Sequence, residues 1–400
     1  ANLILPAQGW SEKSGTVTNS ERRISRQRRV MPSPGQAKPD WWIICQVANK
    51  MGFGHAFDYR HEGEIFKEYA NMTCLKNETG QRDLNLKGLT QLSDKAYANM
   101  SPQQWPVLDY QNELVHQRLF EKGQFFTPSQ KANFVAISHQ TPKSAQDEGL
   151  PLLLNTGRAR DHWHTMTRTG LSVSLTEHAL EPYCEINPQT AHTYGLENDD
   201  LAWLSNAQGQ CLVRVKITSK QAAQQVFMPI HWNSQTASQA DVCQLIRAHT
   251  DAYSGQPEFK HTPIRIEKYA YQSHGMVLSP HPIQLDGVDY WVKQKVAGGY
   301  LYQFASGLTT AQLALHMKAL LWPNERDGCL LEMTVDNQYQ QFAQVHEQQL
   351  KHWLIVQDTS IALNRERIKS QLNQVWDEQE FFEFAQQQLA LQTQQNTCVI

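Results

Sequence analysis

Four hundred residues with 40% hydrophobic content suffice for two or three domains with substantial cores. A formal charge of −3, from 36 Lys and Arg against 39 Asp and Glu, gives no overall pull toward nucleic acid or membrane; no apolar run approaches the ~20 residues that span a bilayer, so a soluble protein is expected. The seven cysteines, at 45, 74, 184, 211, 243, 329 and 398, stand singly without a Cys-x-x-Cys pair, which argues against a zinc or iron–sulfur motif in this chain and fits a reducing cytoplasm better than a disulfide framework.

Taken in order, Ala1-Asn2-Leu3-Ile4-Leu5-Pro6 reads as the tail of a buried strand with no signal-peptide pattern. The other end, Cys398-Val399-Ile400, is apolar after a long polar stretch, so both ends read as cut. Five arginines between positions 22 and 29 form a basic run without aromatic stacking partners. Internal ion pairs, or contacts with domains upstream, explain it better than a nucleic-acid patch. Met31-Pro-Ser-Pro-Gly35 is a turn-rich linker. Trp41, Ile44, Ala48 and Met51 then recur at helical spacing over 40–51, and a second amphipathic helix over Glu62 to Met72 turns Ile65, Phe66 and Tyr69 inward. His55 and His61 lack a His-Glu-x-x-His pattern and read as a solvated loop between helices. Lys131 to Ile137 is expected as a strand, and the polar Ser138 to Gly149 as a domain boundary.

The densest chemistry follows. Leu150 to Leu154 reads as a short buried strand broken by Thr156-Gly157-Arg158, after which donors crowd together. Arg158, Arg160 and Arg168 offer planar guanidinium forks, Thr165, Thr167 and Thr169 hydroxyls, and His162 and His164 imidazoles. Backbone N–H groups beside Gly157 could join them as an anion nest, which is the donor set a diphosphate needs. Trp163 adds a flat surface for a heterocyclic base. From composition alone, a polar surface loop with Trp163 packed inward is an equally good reading. His162 and His164, two apart, could also meet a metal on one face of a strand, but the neighbouring arginines would repel a cation and no third ligand is spaced to help.

From 150 to about 267 the pattern is β-rich. Asn187 to Tyr194 is a short helix with Pro188 in its first turn. Leu201–Ser205 and Cys211–Thr218 flank Asn206-Ala-Gln-Gly209 as a hairpin, and Val226 to Ile230 is a further buried strand that leads into His231 and Trp232. A compact barrel of short strands satisfies these segments. Beyond 268, Gly298 to Phe304 is strand-like, Thr309 caps a helix running to Leu321, and Ala362 to Gln395 repeats apolar residues at helical period. No Gly-x-Ser-x-Gly elbow, nucleoside-triphosphate loop or Rossmann fingerprint occurs.

Thr-Gly-Arg at 156–158 followed by His162-Trp-His-Thr-Met-Thr-Arg-Thr-Gly170 resembles the cofactor-binding segment of the molybdopterin oxidoreductase family, and the run from His164 to Gly170 is most similar to its bacterial assimilatory nitrate reductase branch. The resemblance extends to Glu12-Lys-x-Gly15-Thr-x-Thr-Asn19, to Gln104-Trp-Pro106, to Arg118-Leu-Phe-x-x-Gly-x-Phe125 and to Asp251 with Gln256-Pro-Glu-Phe-Lys260. It implies a multi-domain α+β chain. Residues 1–149 would be the remainder of an α/β pterin domain with helical segments, 150–267 a double-psi β-barrel that binds the molybdopterin dinucleotide, and 268–400 a mixed helical α+β extension.

It further implies that Thr156, Gly157, Arg158, His162, Trp163, His164, Thr165, Met166, Thr167, His231, Trp232, Glu258, Phe259 and Lys260 hold a molybdenum bis(molybdopterin guanine dinucleotide) cofactor. A [4Fe–4S] motif and the molybdenum ligand would lie upstream, and in some members a [2Fe–2S] domain lies beyond the region that ends near Cys398. The implied reaction is reduction of nitrate to nitrite in the cytoplasm, with electrons from a reductase, ferredoxin or flavodoxin, and this piece alone would be inactive. A formate dehydrogenase, a periplasmic-type nitrate reductase or a non-catalytic barrel module are the alternatives. Two departures stand out. Cys243 occupies a position where many members carry a cofactor-binding asparagine, a contact a weakly bonding thiol does not inherit; Asp199-Asp200 replaces a usual Gly-Asp turn.

Overall fold

A computed structural model describes residues 2–78, 80–113, 116, 118–323, 329–335, 338–358 and 363–386. The chain divides into two compact units, 1–139 and 140–400. In the first, β1 (Gly15–Thr18) pairs antiparallel with β2 (Arg23–Gln27), whose other edge takes β3 (Gln103–Gln104). Three helices, α1 (Asp40–Lys50), α2 (Glu62–Cys74) and α3 (Asp94–Ala98), accompany this sheet, and Ile24, Phe66, Ala70, Leu86, Leu89 and Met100 form its core.

Both expected helices are present, but each is rotated from its expected face. Helix α1 buries Cys45 and Ala48 while Ile44 and Met51 are 56% and 66% exposed, and on α2 Tyr69 faces outward beside the buried Phe66. Periodicity identifies an apolar stripe, but where two stripes adjoin, the small residues let the neighbouring chain approach. Part of the basic run is engaged internally, while Arg28 and Arg29 are exposed. Arg26 lies 3.9 Å from the Tyr97 ring centroid, donates to the Tyr97 hydroxyl at 2.6 Å and pairs with Glu62, while Arg23 pairs with Glu21 at 2.8 Å. Residues 131–137 are not a strand: Phe134, Val135 and Ile137 are exposed, and no ladder partner reaches them among the described residues. Alternation without a partner leaves the backbone to water.

The second unit contains a closed six-stranded barrel. Its strands are β4 (Leu152–Gly157), β5 (Tyr183–Ile186), β6 (Leu201–Ser205), β7 (Gln210–Ile217), β8 (Gln225–Pro229) and β9 (Thr262–Tyr269), closing in the order β4-β8-β5-β7-β6-β9. The β4–β8 and β5–β7 pairs are parallel and the rest antiparallel. Short helices α4 (Val173–Thr176) and α5 (Pro188–Thr193) lie in the connections, the latter capped by Asn187. Leu152, Leu154, Ile186, Val213, Val215 and Val226 fill the interior. Strand β4 does not stop at Leu154. Asn155, Thr156 and Gly157 continue it because each pairs with β8, opposite Phe227, Met228 and Pro229. Asp199 takes a left-handed backbone angle, φ 68°, that a glycine would adopt freely, so the Asp-Asp sequence holds a turn that Gly-Asp would form with less strain.

Behind the barrel stands a six-stranded antiparallel sheet. It comprises β10 (Ser273–Ser279), β11 (Tyr290–Val296), β12 (Gly299–Ser306), β13 (Cys329–Val335), β14 (Tyr339–His346) and β15 (Gln349–Gln357), in the order β11-β12-β10-β15-β14-β13. Helix α6 (Thr310–Leu321), with the expected Thr309 capping box, covers one face through Leu313 and Met317. Within the described part of the 362–395 stretch, residues 363–386, two short helices stand apart, α7 (Arg365–Ser370) and α8 (Glu378–Ala385), and with Leu372 and Trp376 they cover the other face. Residues 359–362 and 387–400, including the end of that expected helix and Cys398, lie outside the described residues. Edge strand β11 also docks on the barrel, where Ser238 N–H donates to the Trp291 carbonyl at 2.9 Å and Lys293 N–H to the Thr236 carbonyl at 2.8 Å. Among the described residues no helix is long and apolar enough to cross a membrane.

Candidate functional site at one rim of the barrel

The parallel β4–β8 pair brings the ends of both strands to one rim, and the antiparallel β4–β9 pair, with Leu154 opposite Thr262, brings the start of β9 there too. Three segments therefore converge: the loop 158–170, the His231-Trp232 step, and Glu258-Phe259-Lys260. They interlock through hydrogen bonds. The Thr156 hydroxyl donates to the Phe259 carbonyl at 2.9 Å, and the Lys260 ammonium donates to the Thr156 carbonyl. Asn155, Thr156, Gly157, Phe227 and Lys260 line a hollow of about 550 Å³ that opens to solvent. Gly157 is required here because a Cβ would meet the Phe227 ring at 2.6 Å.

His231 is the clamp of the loop. Fully buried, it accepts the Ala159 N–H at Nε2 (2.7 Å) and donates from Nδ1 to the His164 carbonyl (2.6 Å). Both bonds require the neutral imidazole, and burial foremost holds its pKa below the ordinary value. The Ala159 amide is thereby withdrawn from any anion nest. His164 and Met166 adopt left-handed backbone angles, φ 47° and 59°, each costing about 1–3 kcal/mol in a non-glycine residue, which the clamp and the buried Met166 side chain offset.

His162 is buried edge-on to His231, 5.4 Å between centroids, and to Trp232 at 5.9 Å. Burial, then the neighbouring His231, push its pKa down. The Trp163 N–H donates to the Thr169 hydroxyl at 3.3 Å, and that hydroxyl lies 3.4 Å from His162 Nδ1. His162 Nε2 is buried, with the Ala179 backbone beside the ring. At the loop tip, Trp163 is 60% exposed, with the Arg158 guanidinium 5.9 Å and the His164 ring 4.4 Å from its centroid.

The structure thus gathers Thr156, Gly157 and Lys260 in one group, His162, His231 and Trp232 in a second, and Arg158, Trp163 and His164 in a third. Thr165 and Thr167 line a separate hollow on the inner side of the loop. Several expected roles are taken differently. Trp163 is not packed inward; Met166 is core; Arg160 pairs with Asp161, and neither it nor Arg168 lines the two hollows. Glu258 accepts the backbone N–H groups of Lys143 and Ser144, at 2.6 and 3.1 Å, pinning the chain that enters the barrel. Cys243 sits on a short turn packed against the 205–211 hairpin and lines neither hollow. Among the described residues no group of three or more His, Cys, Asp and Glu could hold a metal ion. What the sequence reading missed is the contribution of Lys293, Lys295 and Tyr300 to the inner hollow. The only signal was the apolar–polar alternation of Tyr290 to Val296.

A closed barrel of mixed strands that collects a donor-rich loop and a lysine at one rim has the form of a nucleotide-binding domain, and residues 152–263 match the Molydopterin dinucleotide binding domain family. Residues 1–50 match the Molybdopterin oxidoreductase family. The chain belongs to the molybdopterin oxidoreductase family. Among its relatives are a nitrate reductase of Klebsiella oxytoca, 39% identical over 78% of this chain and 35% of its own length, and the assimilatory nitrate reductase catalytic subunit of Bacillus subtilis, 33% identical over 66% and 36%. The F420-dependent formate dehydrogenase subunit alpha of Methanocaldococcus jannaschii is 30% identical over 67% and 37%. The chain spans about a third of the length of these relatives.

Proposed function

We propose that the rim clamps the guanine dinucleotide end of a molybdenum bis(molybdopterin guanine dinucleotide) cofactor in an enzyme that reduces nitrate to nitrite for assimilation in the cytoplasm. The observation that supports this is the convergence of Thr156, Gly157, Lys260, His231 and the 158–170 loop on one rim within the matched domain. The residues fit such a group. A lysine beside a glycine-floored hollow suits phosphate, and an exposed Trp163 with Arg158 beside it offers a stacking platform for guanine.

When bound, the cofactor supplies the two-electron chemistry: nitrate, two electrons and two protons give nitrite and water. The residues of this chain bind and orient it. Lys260, Thr156 and Gly157 hold phosphate oxygens, Arg158, Trp163 and His164 surround the nucleoside, His162, Thr165 and Thr167 present their polar groups from the inner side of the loop, and Met166, His231, Trp232, Glu258 and Phe259 fix the shape of the rim from behind. The division into a pterin-domain remainder (1–149), the dinucleotide-binding barrel (150–267) and an extension (268–400) belongs to this reading. So do the iron–sulfur clusters and the molybdenum ligand in the rest of a longer protein, a reductase, ferredoxin or flavodoxin as donor, and inactivity of this piece alone. Formate oxidation is the second reading, supported by the formate dehydrogenase relative; the higher identity to the Klebsiella nitrate reductase favours nitrate.

The test is the full-length protein. GMP released by acid, molybdenum content, and turnover of nitrate against formate are measured for wild type, Arg158→Ala and Lys260→Ala. Loss of a phosphate-binding lysine is expected to lower bound GMP by about ten-fold, the scale of one charge-assisted contact. Unchanged GMP and molybdenum in both variants would leave a barrel module with no cofactor role, and turnover of formate alone would overturn the substrate.

A further inference from the structure

The inner hollow has chemistry of its own. It holds about 160 Å³, against roughly 30 Å³ per water in liquid, so it has room for a phosphate-sized group. One wall is the loop, with His162, Thr165 and Thr167; the other is β11 and its neighbour β12, with Lys293, Lys295 and Tyr300. Alternation along β11 puts both lysines on the same side of the strand. Both are half-buried, the Lys295 ammonium lies 4.3 Å and that of Lys293 5.9 Å from the Tyr300 ring centroid, and neither has a carboxylate partner among the described residues.

The nearby carboxylates are taken. Glu177 bonds Lys369 at 2.8 Å, and Glu181 is shared by Arg214 and the Tyr290 hydroxyl. Behind Gln294, which also lines the hollow, Arg365 adds a third cation, donating to the Gln294 side-chain oxygen. On the opposite wall of the hollow is the buried ring of His162. Two half-buried ammonium groups without carboxylate partners, in a hollow also lined by threonines and a buried imidazole, make a site suited to a compact polyoxygen anion.

We propose that this hollow binds one phosphate group, with Lys293 and Lys295 neutralising its charge and His162, Thr165 and Thr167 donating hydrogen bonds. The sheet outside the matched dinucleotide-binding domain thereby completes an anion site with the loop inside it. The phosphate is that of the dinucleotide or free inorganic phosphate; only the first source rests on the function proposed above.

The test uses the full-length protein, as wild type, the double variant Lys293→Gln/Lys295→Gln, and the double variant Lys293→Arg/Lys295→Arg, with Thr167→Val as a milder probe. Two readouts are taken: the rise in thermal midpoint of cofactor-free protein titrated with inorganic phosphate, and GMP released from the loaded protein. The glutamine variant is expected to need at least about ten-fold more phosphate for the same rise, with the arginine variant within about two-fold of wild type. A parallel fall in GMP identifies the dinucleotide as the source, and unchanged GMP with lost phosphate response identifies free phosphate. If wild type carries no GMP yet responds to phosphate through the lysines, the cofactor reading fails and this site stands. A wild type unresponsive to phosphate, with GMP unchanged in the glutamine variant, overturns the site. Equal losses in the glutamine and arginine variants, with Thr167→Val silent, also overturn it, because they trace the effect to packing rather than charge.

Discussion

The barrel and the sheet behind it are both well-packed β structures, yet one presents a site and the other lends it a single edge. In the barrel, the parallel β4–β8 pair and the antiparallel β4–β9 pair bring distant strand ends to one rim, so that Lys260 meets Thr156 and His231 meets Ala159 although they are far apart in sequence. The sheet is built from antiparallel neighbours covered on both faces, with Trp353 and Trp376 wholly buried, and it reaches the rim through edge strand β11 and Tyr300 of β12. Mixed closure creates a place where loops must gather; an antiparallel sheet with covered faces creates rigidity. The lesson is that the sheet acts as a brace whose one functional contribution comes through the edge that touches the barrel.

The largest expected effect breaks the brace without touching the rim. Trp353→Ala removes a fully buried ring packed edge-on against Trp376, 5.9 Å between centroids, and should cost about 3–5 kcal/mol in denaturant unfolding. GMP per folded molecule should stay unchanged. If GMP falls in proportion to stability, the sheet and rim are not separable in the way argued.

A smaller effect breaks the clamp. His231→Phe leaves the Ala159 amide and His164 carbonyl without their buried partner and should cost about 2–3 kcal/mol. The acid response has a definite sign. His231 and His162 have folded-state pKa values below the unfolded value of about 6.5, and burial pushes His352, on the sheet, down to about 4. Above about pH 6.5 all three are neutral in both states and contribute no slope. As pH falls below that, the unfolded chain takes up protons the folded chain refuses, so stability drops toward pH 4. Thermal midpoints across pH 4–8 should show this fall in wild type and a shallower one in His231→Phe. Equal slopes would remove His231 from the acid response.

The smallest effect sharpens the comparison from the rim side. Arg158 is exposed, with its guanidinium over the Trp163 ring, so Arg158→Ala should change stability by no more than about 0.5 kcal/mol while lowering bound GMP. A large loss of stability would mean the loop tip is part of the brace.

Local pattern determined a good deal. The hairpin at 206–209, the Asn187 and Thr309 caps, the β8 strand and the family motif at 156–170 could all be read because each depends on neighbouring residues: a turn's backbone angles, a cap's side chain, the order of donors after a strand. The six-stranded sheet was nearly invisible. Buried on both faces, β10 and β15 carry near-continuous apolar runs that do not distinguish strand from helix, and α7 and α8 repeat at helical period across the break between them.

Only the tertiary structure decided which donors share a hollow. The sequence supplied arginines, threonines and histidines in one run, but the fold sent Arg160 to Asp161, buried His231 as the clamp and set Lys293 and Lys295 on the hollow that His162 lines, from more than a hundred residues away. Residue type fixes what a side chain can bond; which partner it meets depends on strand closure and docking, and those are set by packing across the whole unit rather than by spacing along the chain.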